Sequence, residues 1–505
     1  MVFKQQDGTP SSFGDASKLS FIATDKDTKI SMGADGTIEI SNLAPNTQPR
    51  FVIQLDLGNN QKITIGYIEV KVDASGNVTG VSSNLIDPYG TIIDAATGEK
   101  IAGAHVTLYY ADTERNKQKG NVAHTPVDLP ILNGFEPNNN KNPQYSDQAG
   151  FYAFMVYPEA DYYLLASKEG YEDYKSMTIS VEQEIVKWDF KMVKPLSGAQ
   201  RLAGGNRVDT ALAIAQANYT AKLQNVVLTT ANNYPDALAG SVLAYKLNAP
   251  ILLVGSSASE QQKVIDYLKS NLDPSGTITI LGGTGAVGQD VESKLKGAGF
   301  SKITRLSGSN RSETALKIAE QIQVPTGRPI VLVNEDSYAD ALSISSSAAA
   351  GEMPILLVGK DKINEAVRQK IAEIKPIKVY LVGGEGVLSA QVAQQVAEIT
   401  GLSTDKIIRL AGADRYATSL AVAEHFNFPG QSVSLATGRN FPDALAGGVF
   451  AANYNASILL VDDTLSPDAL SYLESRNLVA GVLLGGEGVL SKKIEQELAQ
   501  LLERK

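Results

Sequence analysis

The chain has 505 residues, 43% hydrophobic and 20% charged, with a formal net charge of −10. At roughly 100–200 residues per domain this length implies about three to five domains, and an ordinary apolar fraction excludes wholesale disorder. Cysteine is absent and the only histidines are His105, His124 and His425, which excludes disulfides, thiol nucleophiles and cysteine-ligated metal centres and argues against a histidine-rich zinc site. No apolar run approaches the ~18 residues of a membrane-spanning helix, so membrane insertion is not expected; no cofactor is expected either. The opening MVFKQQDGTP lacks a basic region followed by an apolar one, so it is not read as a signal peptide; if the natural protein is exported, this chain is expected to be a mature or excised form.

Charge is uneven. Residues 1–198 hold 17 Lys and Arg against 25 Asp and Glu, and residues 199–505 hold 28 against 30. Neither part has the basic field of a nucleic-acid binder, so an anionic partner must be captured by a few placed cations.

Up to about Lys194 the pattern is short strands and turns. Ser20–Ala23, Thr37–Ile40, Phe51–Leu57 and Lys62–Val72 read as strands separated by Asp-, Asn- and Gly-rich turns, a spacing that predicts all-β sandwich modules. Residues 1–85 are taken as one such module, of no recognised family. Within 86–194, Gly90-Thr-Ile-Ile-Asp94, Ile101-Ala-Gly-Ala-His-Val-Thr-Leu108, Asp147-Gln-Ala-Gly-Phe-Tyr-Ala-Phe154 and Lys168-Glu-Gly-Tyr171 resemble a carboxypeptidase regulatory-like domain, a small transthyretin-like β-sandwich. The resemblance implies a spacer or adhesive module. The insertion at 112–145, with Pro137-Asn138-Asn139-Asn140, is expected to project as a loop. Its Asn and Asp oxygens could meet Ca²⁺, but no EF-hand spacing is present. Trp188, the single tryptophan, is expected to fill core.

After Pro195-Leu196-Ser197-Gly198 a fourfold set of motifs appears three times. Arg201-Leu-Ala-Gly-Gly-Asn-Arg207 recurs as Arg305-Leu-Ser-Gly-Ser-Asn-Arg311 and Arg409-Leu-Ala-Gly-Ala-Asp-Arg415, at intervals of 104 residues. Tyr234-Pro-Asp-Ala-Leu238 recurs as Tyr338-Ala-Asp-Ala-Leu342 and Phe441-Pro-Asp-Ala-Leu445. Pro250-Ile-Leu-Leu-Val254 recurs as Pro354-Ile-Leu-Leu-Val358 and Ser457-Ile-Leu-Leu-Val461, and Leu281-Gly-Gly-Thr-Gly285 as Val382-Gly-Gly-Glu-Gly386 and Leu484-Gly-Gly-Glu-Gly488. Repetition of this kind identifies three copies of one unit, bounded at 199–302, 303–406 and 407–505. Each copy alternates Val/Ile/Leu runs with Ala-rich helical stretches, which predicts a mainly parallel sheet with covering helices. The arginine, aspartate and Gly-Gly motifs each follow the carboxyl end of a strand, and open α/β folds place ligands at that edge.

These units resemble type-2 cell-wall-binding repeats, found usually three in tandem in surface and S-layer proteins of Gram-positive bacteria. The resemblance implies a pseudo-threefold arrangement of the three α/β repeats and non-covalent attachment to an anionic secondary cell-wall polysaccharide. It also implies an extracellular location in the cell wall or S-layer, where neighbouring S-layer subunits could be further partners.

Asn206, Asn310 and Asp414 are read as helix N-caps, which puts Arg207, Arg311 and Arg415 in the first helical turn. A cation there opposes the helix dipole at a cost of ~0.3–1 kcal/mol, so it needs compensation. One compensator is an anionic ligand held by Arg201, Arg207, Arg305, Arg311, Arg409 and Arg415. The other is ion pairing with Asp236, Asp340 and Asp443, within or between repeats; both can hold if an aspartate orients one arginine while the other meets the polymer. The Gly-Gly-x-Gly loops admit a nucleotide-binding reading, but Glu385 and Glu487 stand where phosphate would sit, and a tight strand-to-helix turn explains the glycines. In the third copy Ser457 and Asp462-Asp463 depart from the pattern, and weaker binding is expected there. The reading that follows is a non-catalytic surface protein anchored by three repeats and displaying β-sandwich modules. The alternative is a wall-anchored fragment of a peptidoglycan-modifying or proteolytic enzyme whose catalytic domain lies outside this chain.

Overall fold

A computed structural model describes residues 3–4, 10–11, 19–23, 28–32, 38–58, 61–85, 88–131, 137–157, 159–182, 186–233 and 237–504. The chain forms two compact units, Met1–Asp94 with Glu99–Lys191, and Ala95–Gly98 with Met192–Lys505.

Among the described residues the first unit is β apart from one short helix, Glu114–Gln118. Strands Leu19–Ala23, Arg50–Gly58, Gln61–Val72 and Val78–Leu85 form an antiparallel sheet in that order. Two further sheets are built around Pro88–Asp94 and around the pair His105–Tyr110 and Ala160–Ser167. The two modules expected from sequence share apolar core: Phe51, Ile53, Ile68, Val70 and Val72 pack with Ala153 and Met155. Trp188 is 7% exposed and donates from Nε1 to the Tyr174 hydroxyl at 2.9 Å.

The 112–145 insertion does not project throughout as expected. Its amide side chains imitate a strand. Asn140 donates to the carbonyls of Pro130 and Met155 and accepts from the Met155 N–H. Asn142 bridges Leu108 and Val127, and Gln144 pairs with both main-chain groups of Ala153. Oxygens committed to buried main-chain donors satisfy groups that would otherwise lose about 1–3 kcal/mol each. Among the described residues no three acidic or histidine side chains are grouped so as to hold a metal ion.

The second unit contains three four-stranded, all-parallel sheets. The first orders Ile251–Val254, Leu223–Thr230, Leu272–Leu281 and Lys302–Leu306; the second Ile355–Val358, Ile330–Asn334, Val379–Val382 and Ile407–Leu410. In both, the edge strand beside the Gly-Gly loop carries the arginine motif of the following repeat. The third sheet orders Ile458–Val461, Ser432–Thr437, Ala480–Leu484 and Gly198–Leu202. Its edge strand comes from the front of the unit, so the three repeats close on one another. The folded units are thus offset by one strand from the period expected at 199–302, 303–406 and 407–505.

Helices Gly240–Lys246, Tyr338–Ala350 and Pro442–Asn453 pack pairwise around the centre. Their closest approach uses small residues: a Cβ on Gly448 would stand 2.6 Å from Ser345 Oγ and 3.8 Å from Ser241 Cβ. The opening helix of each repeat, Arg207–Asn218, Arg311–Ile322 or Arg415–Phe426, packs on the central helix of the preceding repeat. Strand pairing and helix packing therefore follow the same cyclic order, which defines the pseudo-threefold arrangement. Separate apolar cores, such as Leu332, Leu356, Val367, Leu381 and Val396 in the second repeat, fill the space between sheet and outer helices.

Truncation to residues 203–505 removes the closing strand and leaves Ala480–Leu484 with an open edge. The truncated chain should melt below residues 192–505 in calorimetry and should self-associate in sedimentation; equal melting temperatures would contradict the closure.

Candidate functional site at the junctions between repeats

The recurrent motifs meet where one repeat adjoins the next. At each junction the first arginine of the incoming repeat reaches the Gly-Gly loop of the outgoing one. Arg201 Nη1 donates to the carbonyls of Gly485 and Leu490 at 2.8 and 2.9 Å, and its Nη2 meets Glu495 Oε2 at 2.8 Å. Arg305 donates to Gly282 O at 2.8 Å and to Glu292 Oε2 at 3.2 Å. Arg409 donates to Gly383 O at 2.8 Å and Ser389 O at 3.5 Å, with Ala393 standing where the other two repeats have glutamate. The side chains of Arg201 and Arg305 are only 14% and 17% exposed. This set therefore latches loop to strand, and its guanidinium donors are largely spent inside the protein.

The loop glycines have a steric reason. Gly383 and Gly485 have φ of +116° and +125°, and a Cβ there would stand 2.9 and 2.7 Å from the Asp340 and Asp443 carboxylates. Either condition alone favours glycine. The tight-turn reading of these loops thus has a physical basis in the described conformation.

The second arginines are the first residues of their helices. Asn206 Oδ1 accepts from the Asp209 N–H and Asn310 Oδ1 from the Glu313 N–H, each at 2.9 Å, while Asp414 accepts from Tyr416 and Ala417. These are the N-caps expected from sequence. The glycine of each arginine motif lies so near the next helical turn that a Cβ would approach to 2.2–2.3 Å. Its N–H is held by Thr210, Thr314 or Thr418 Oγ1 at 3.0–3.1 Å. Those threonines recur with the 104-residue period but were not among the expected functional residues.

Arg207, Arg311 and Arg415 each donate to the carbonyl of the residue just after a strand of their own repeat: Ala231, Glu335 and Gly438, at 2.7, 2.8 and 2.6 Å. Arg207 and Arg311 are half-buried and Arg415 is exposed. Arg207 Cζ lies 5.8 Å from the Phe441 ring centre and Arg415 Cζ 5.3 Å from that of Tyr338, both within cation–π range. At these two junctions the aromatic residue preceding Pro-Asp or Ala-Asp is thus part of the site, a role that its recurrence in the sequence signalled and the sequence reading did not assign; Tyr234 lies outside the described residues.

Asp340 and Asp443 are 6% and 9% exposed. Burial pushes both carboxyls up, Asp443 to about 6, against the opposing charge of Arg415 and Arg207 respectively. The aspartate therefore faces the arginine of the following repeat. Among the described residues, however, no ion pair within 4.0 Å joins either couple, so the alternative of a close internal salt bridge is not what these two junctions contain. Asp236 lies outside the described residues.

With this geometry in hand, comparison places the chain. Residues 201–292, 305–393 and 409–495 match cell wall binding domain 2 (CWB2), so the chain belongs to the family of proteins that carry this domain and is a cell-wall surface protein. Over 305 residues it is 30% identical to N-acetylmuramoyl-L-alanine amidase LytC of Bacillus subtilis, covering 60% of this chain and 58% of the amidase. It is 29% identical to the amidase enhancer of the same organism over 300 residues, covering 59% of this chain and 40% of the relative. The chain thus spans about half the length of the curated relatives it matches. In fold it is similar to Cwp8 from Clostridium difficile, with a TM-score of 0.55, 20% identity and coverage of 91% of this chain and 89% of that one. Cwp6 from the same organism gives 0.56, 18%, 96% and 68%. No helix among the described residues is long and apolar enough to cross a membrane.

Two outcomes follow from the chemistry. Arg201→Ala and Arg305→Ala each remove charged hydrogen bonds to a carboxylate as well as a carbonyl, and should cost about 1.5–3 kcal/mol; Arg409→Ala, with no carboxylate partner, should cost less in chemical unfolding. For Asp443, the folded state keeps its proton to higher pH than the unfolded chain, so stability should fall as pH rises from about 4 through about 6. Asp443→Asn should remove that fall and raise stability at pH 7 by on the order of 2 kcal/mol, seen as a flatter plot of melting temperature against pH.

Proposed function

We propose that this chain is a non-catalytic, wall-anchored surface protein whose three repeats grip an anionic secondary cell-wall polysaccharide at the junctions between them. Arg207, Arg311 and Arg415 are the polymer-binding cations; Asp340 and Asp443, and Asp236 by the repeat pattern, orient them. The polymer-binding role first considered for Arg201, Arg305 and Arg409 is replaced by a supporting one, since their donors already meet loop carbonyls and glutamates.

The observation that carries this reading is the recurrence of one unusual arrangement. A guanidinium sits at the first position of a capped helix, where the dipole disfavours it, beside an aromatic ring and a buried carboxylate too far away to neutralise it as a close pair. An anion at this place would meet the guanidinium fork and the free N–H groups of the helix start together. Two such places among the described residues, with a third expected at Arg311 from the repeat pattern, supply multivalent attachment, in which modest single affinities combine.

The non-catalytic part rests on where the likeness to the amidase falls, since it spans the length of the repeats and no more of this chain. The β-sandwich unit is then the displayed portion, and adjacent S-layer subunits are candidate neighbours.

The triple variant Arg207→Ala, Arg311→Ala, Arg415→Ala should lose retention on purified Gram-positive cell walls while keeping its melting temperature within a few degrees. Walls stripped of their secondary polysaccharide should retain neither protein. Undiminished retention of the triple variant would overturn the assignment, and release of muropeptides or peptides from walls by the intact chain would favour the enzymatic alternative.

A further inference from the structure

The three junctions share a plan but not a chemistry. In the second repeat Arg311 Nη1 is occupied by the Asp336 carboxylate at 2.7 Å as well as by Glu335 O. In the third repeat Arg415 Nη1 is occupied by the Tyr338 hydroxyl at 2.7 Å as well as by Gly438 O. Two carboxylates also stand beside that junction, Asp462 and Asp463, which bind Arg439 at 2.6 and 2.7 Å. In the first repeat Arg207 has Ala231 O as its single hydrogen-bond acceptor among the described residues.

The sequence explains the difference position by position. The residue after the bonded carbonyl is Asn232, Asp336 or Arg439, and each closes the same turn by donating its N–H to the side-chain oxygen two residues earlier. The ring beneath Arg207 is Phe441, which has no hydroxyl to offer, whereas Tyr338 has one. Gly255 and Ser256 occupy the place of Asp462 and Asp463. The nearby Asp209 is taken by Lys263 at 2.7 Å, and Glu260 by the Ser257 cap at 2.6 Å. Among the described residues, the carboxylate that faces Arg207 is Asp443. It is 9% exposed and has no hydrogen bond or close ion pair among the described residues, whereas its counterpart Asp340 accepts from Ser337 Oγ at 2.5 Å. The Asp443 oxygens are not sealed from solvent, so a ligand hydroxyl can reach them, and they lie at the same junction as a guanidinium with unused donors.

We infer that the junction between the third and first repeats, formed by Arg207, Phe441 and Asp443, is the principal anchoring site, and that it takes a glycan unit carrying both an acid group and a hydroxyl. The guanidinium fork receives the phosphate or carboxylate. The Asp443 carboxylate, to which no described side chain donates, accepts the hydroxyl. The other two junctions bind the same polymer more weakly because an anion there must displace Asp336 or the Tyr338 hydroxyl. This inference rests on the proposed function and goes further by ranking the junctions and naming the two groups recognised. It also reverses part of the expectation for the third copy: its acidic pair weakens the junction with the second repeat, while its own Phe441 and Asp443 build the strong one.

The test compares single variants for binding to purified Gram-positive cell walls that retain their secondary polysaccharide. Arg207→Ala should reduce affinity on the order of tenfold, and Arg311→Ala and Arg415→Ala by less than about threefold. The exposed Asn232→Asp supplies the first repeat with the carboxylate that the second already has; it should reproduce much of the Arg207→Ala loss with an unchanged melting temperature, and so decides the matter even if Arg207→Ala folds poorly. Equal losses from the three arginine variants, with no effect of Asn232→Asp, would overturn the ranking while leaving the proposed function standing. Full binding by the triple arginine variant would remove both. Acid-group chemistry is separated by competition: inorganic phosphate and acetate, each at matched ionic strength, should displace the wild type to different extents and Arg207→Ala to neither's full extent. Identical curves for wild type and Arg207→Ala would count against recognition of the acid group at this junction.

Discussion

Each repeat lends its opening strand to the sheet of the repeat before it, and the strand Gly198–Leu202 closes the series on the third sheet. A parallel sheet edge exposes unpaired main-chain groups, and here the edge beside each Gly-Gly loop is covered by the next copy. Because the lent strand runs directly into the arginine motif, pairing and site assembly are one event. The register that aligns Arg201 with Leu483, Arg305 with Ile280 and Arg409 with Leu381 also sets the guanidinium against the Gly-Gly loop. A one-residue slip would turn that side chain to the opposite face and dismantle the junction.

The two arginines of one motif consequently do opposite work. The first is consumed by carbonyls and, in two of three copies, by a glutamate; it fixes the loop whose glycine makes room for the buried aspartate. The second stands at a helix start, and in the first repeat, at Arg207, it has a single hydrogen-bond acceptor among the described residues. Local rules of helix electrostatics are broken at the second position, whereas the Ser257–Glu260 capping box follows them. Local violations that the fold maintains in three copies are where functional chemistry is expected. Asp443 makes the same point from the side of stability, since a partly desolvated carboxyl with no hydrogen-bond partner among the described residues works against folding at neutral pH.

Threefold repetition also allowed the copies to diverge without disturbing the frame. The closing contacts among Ser241, Ser345 and Gly448 tolerate little change because they lie where three helices meet. The rim positions Asn232, Asp336 and Arg439 are exposed and carry three different charges. Packing therefore holds the axis to small residues, while the rim is free to tune each junction.

The period of 104 residues, the four motifs and their order after apolar runs were sufficient, from sequence, for the three α/β units, the parallel sheets and the N-caps Asn206, Asn310 and Asp414, because these depend on patterns repeated along the chain. Burial of Trp188 was likewise readable from its chemistry. The offset of sheet and period by one strand was not, since a strand's sequence does not say which neighbour it will pair with. Nor could spacing separate Arg201, Arg305 and Arg409 from Arg207, Arg311 and Arg415: both sets are arginines in the same motif, and only the approach of distant loops shows which guanidinium is already satisfied. The amide ladder of Asn140, Asn142 and Gln144 was hidden for the same reason, as its partners lie elsewhere in the chain. Sequence determined the elements and the chemical inventory, through local periodicity and residue type; the tertiary structure decided which groups face one another, because hydrogen-bond satisfaction and desolvation are properties of neighbours brought together by folding.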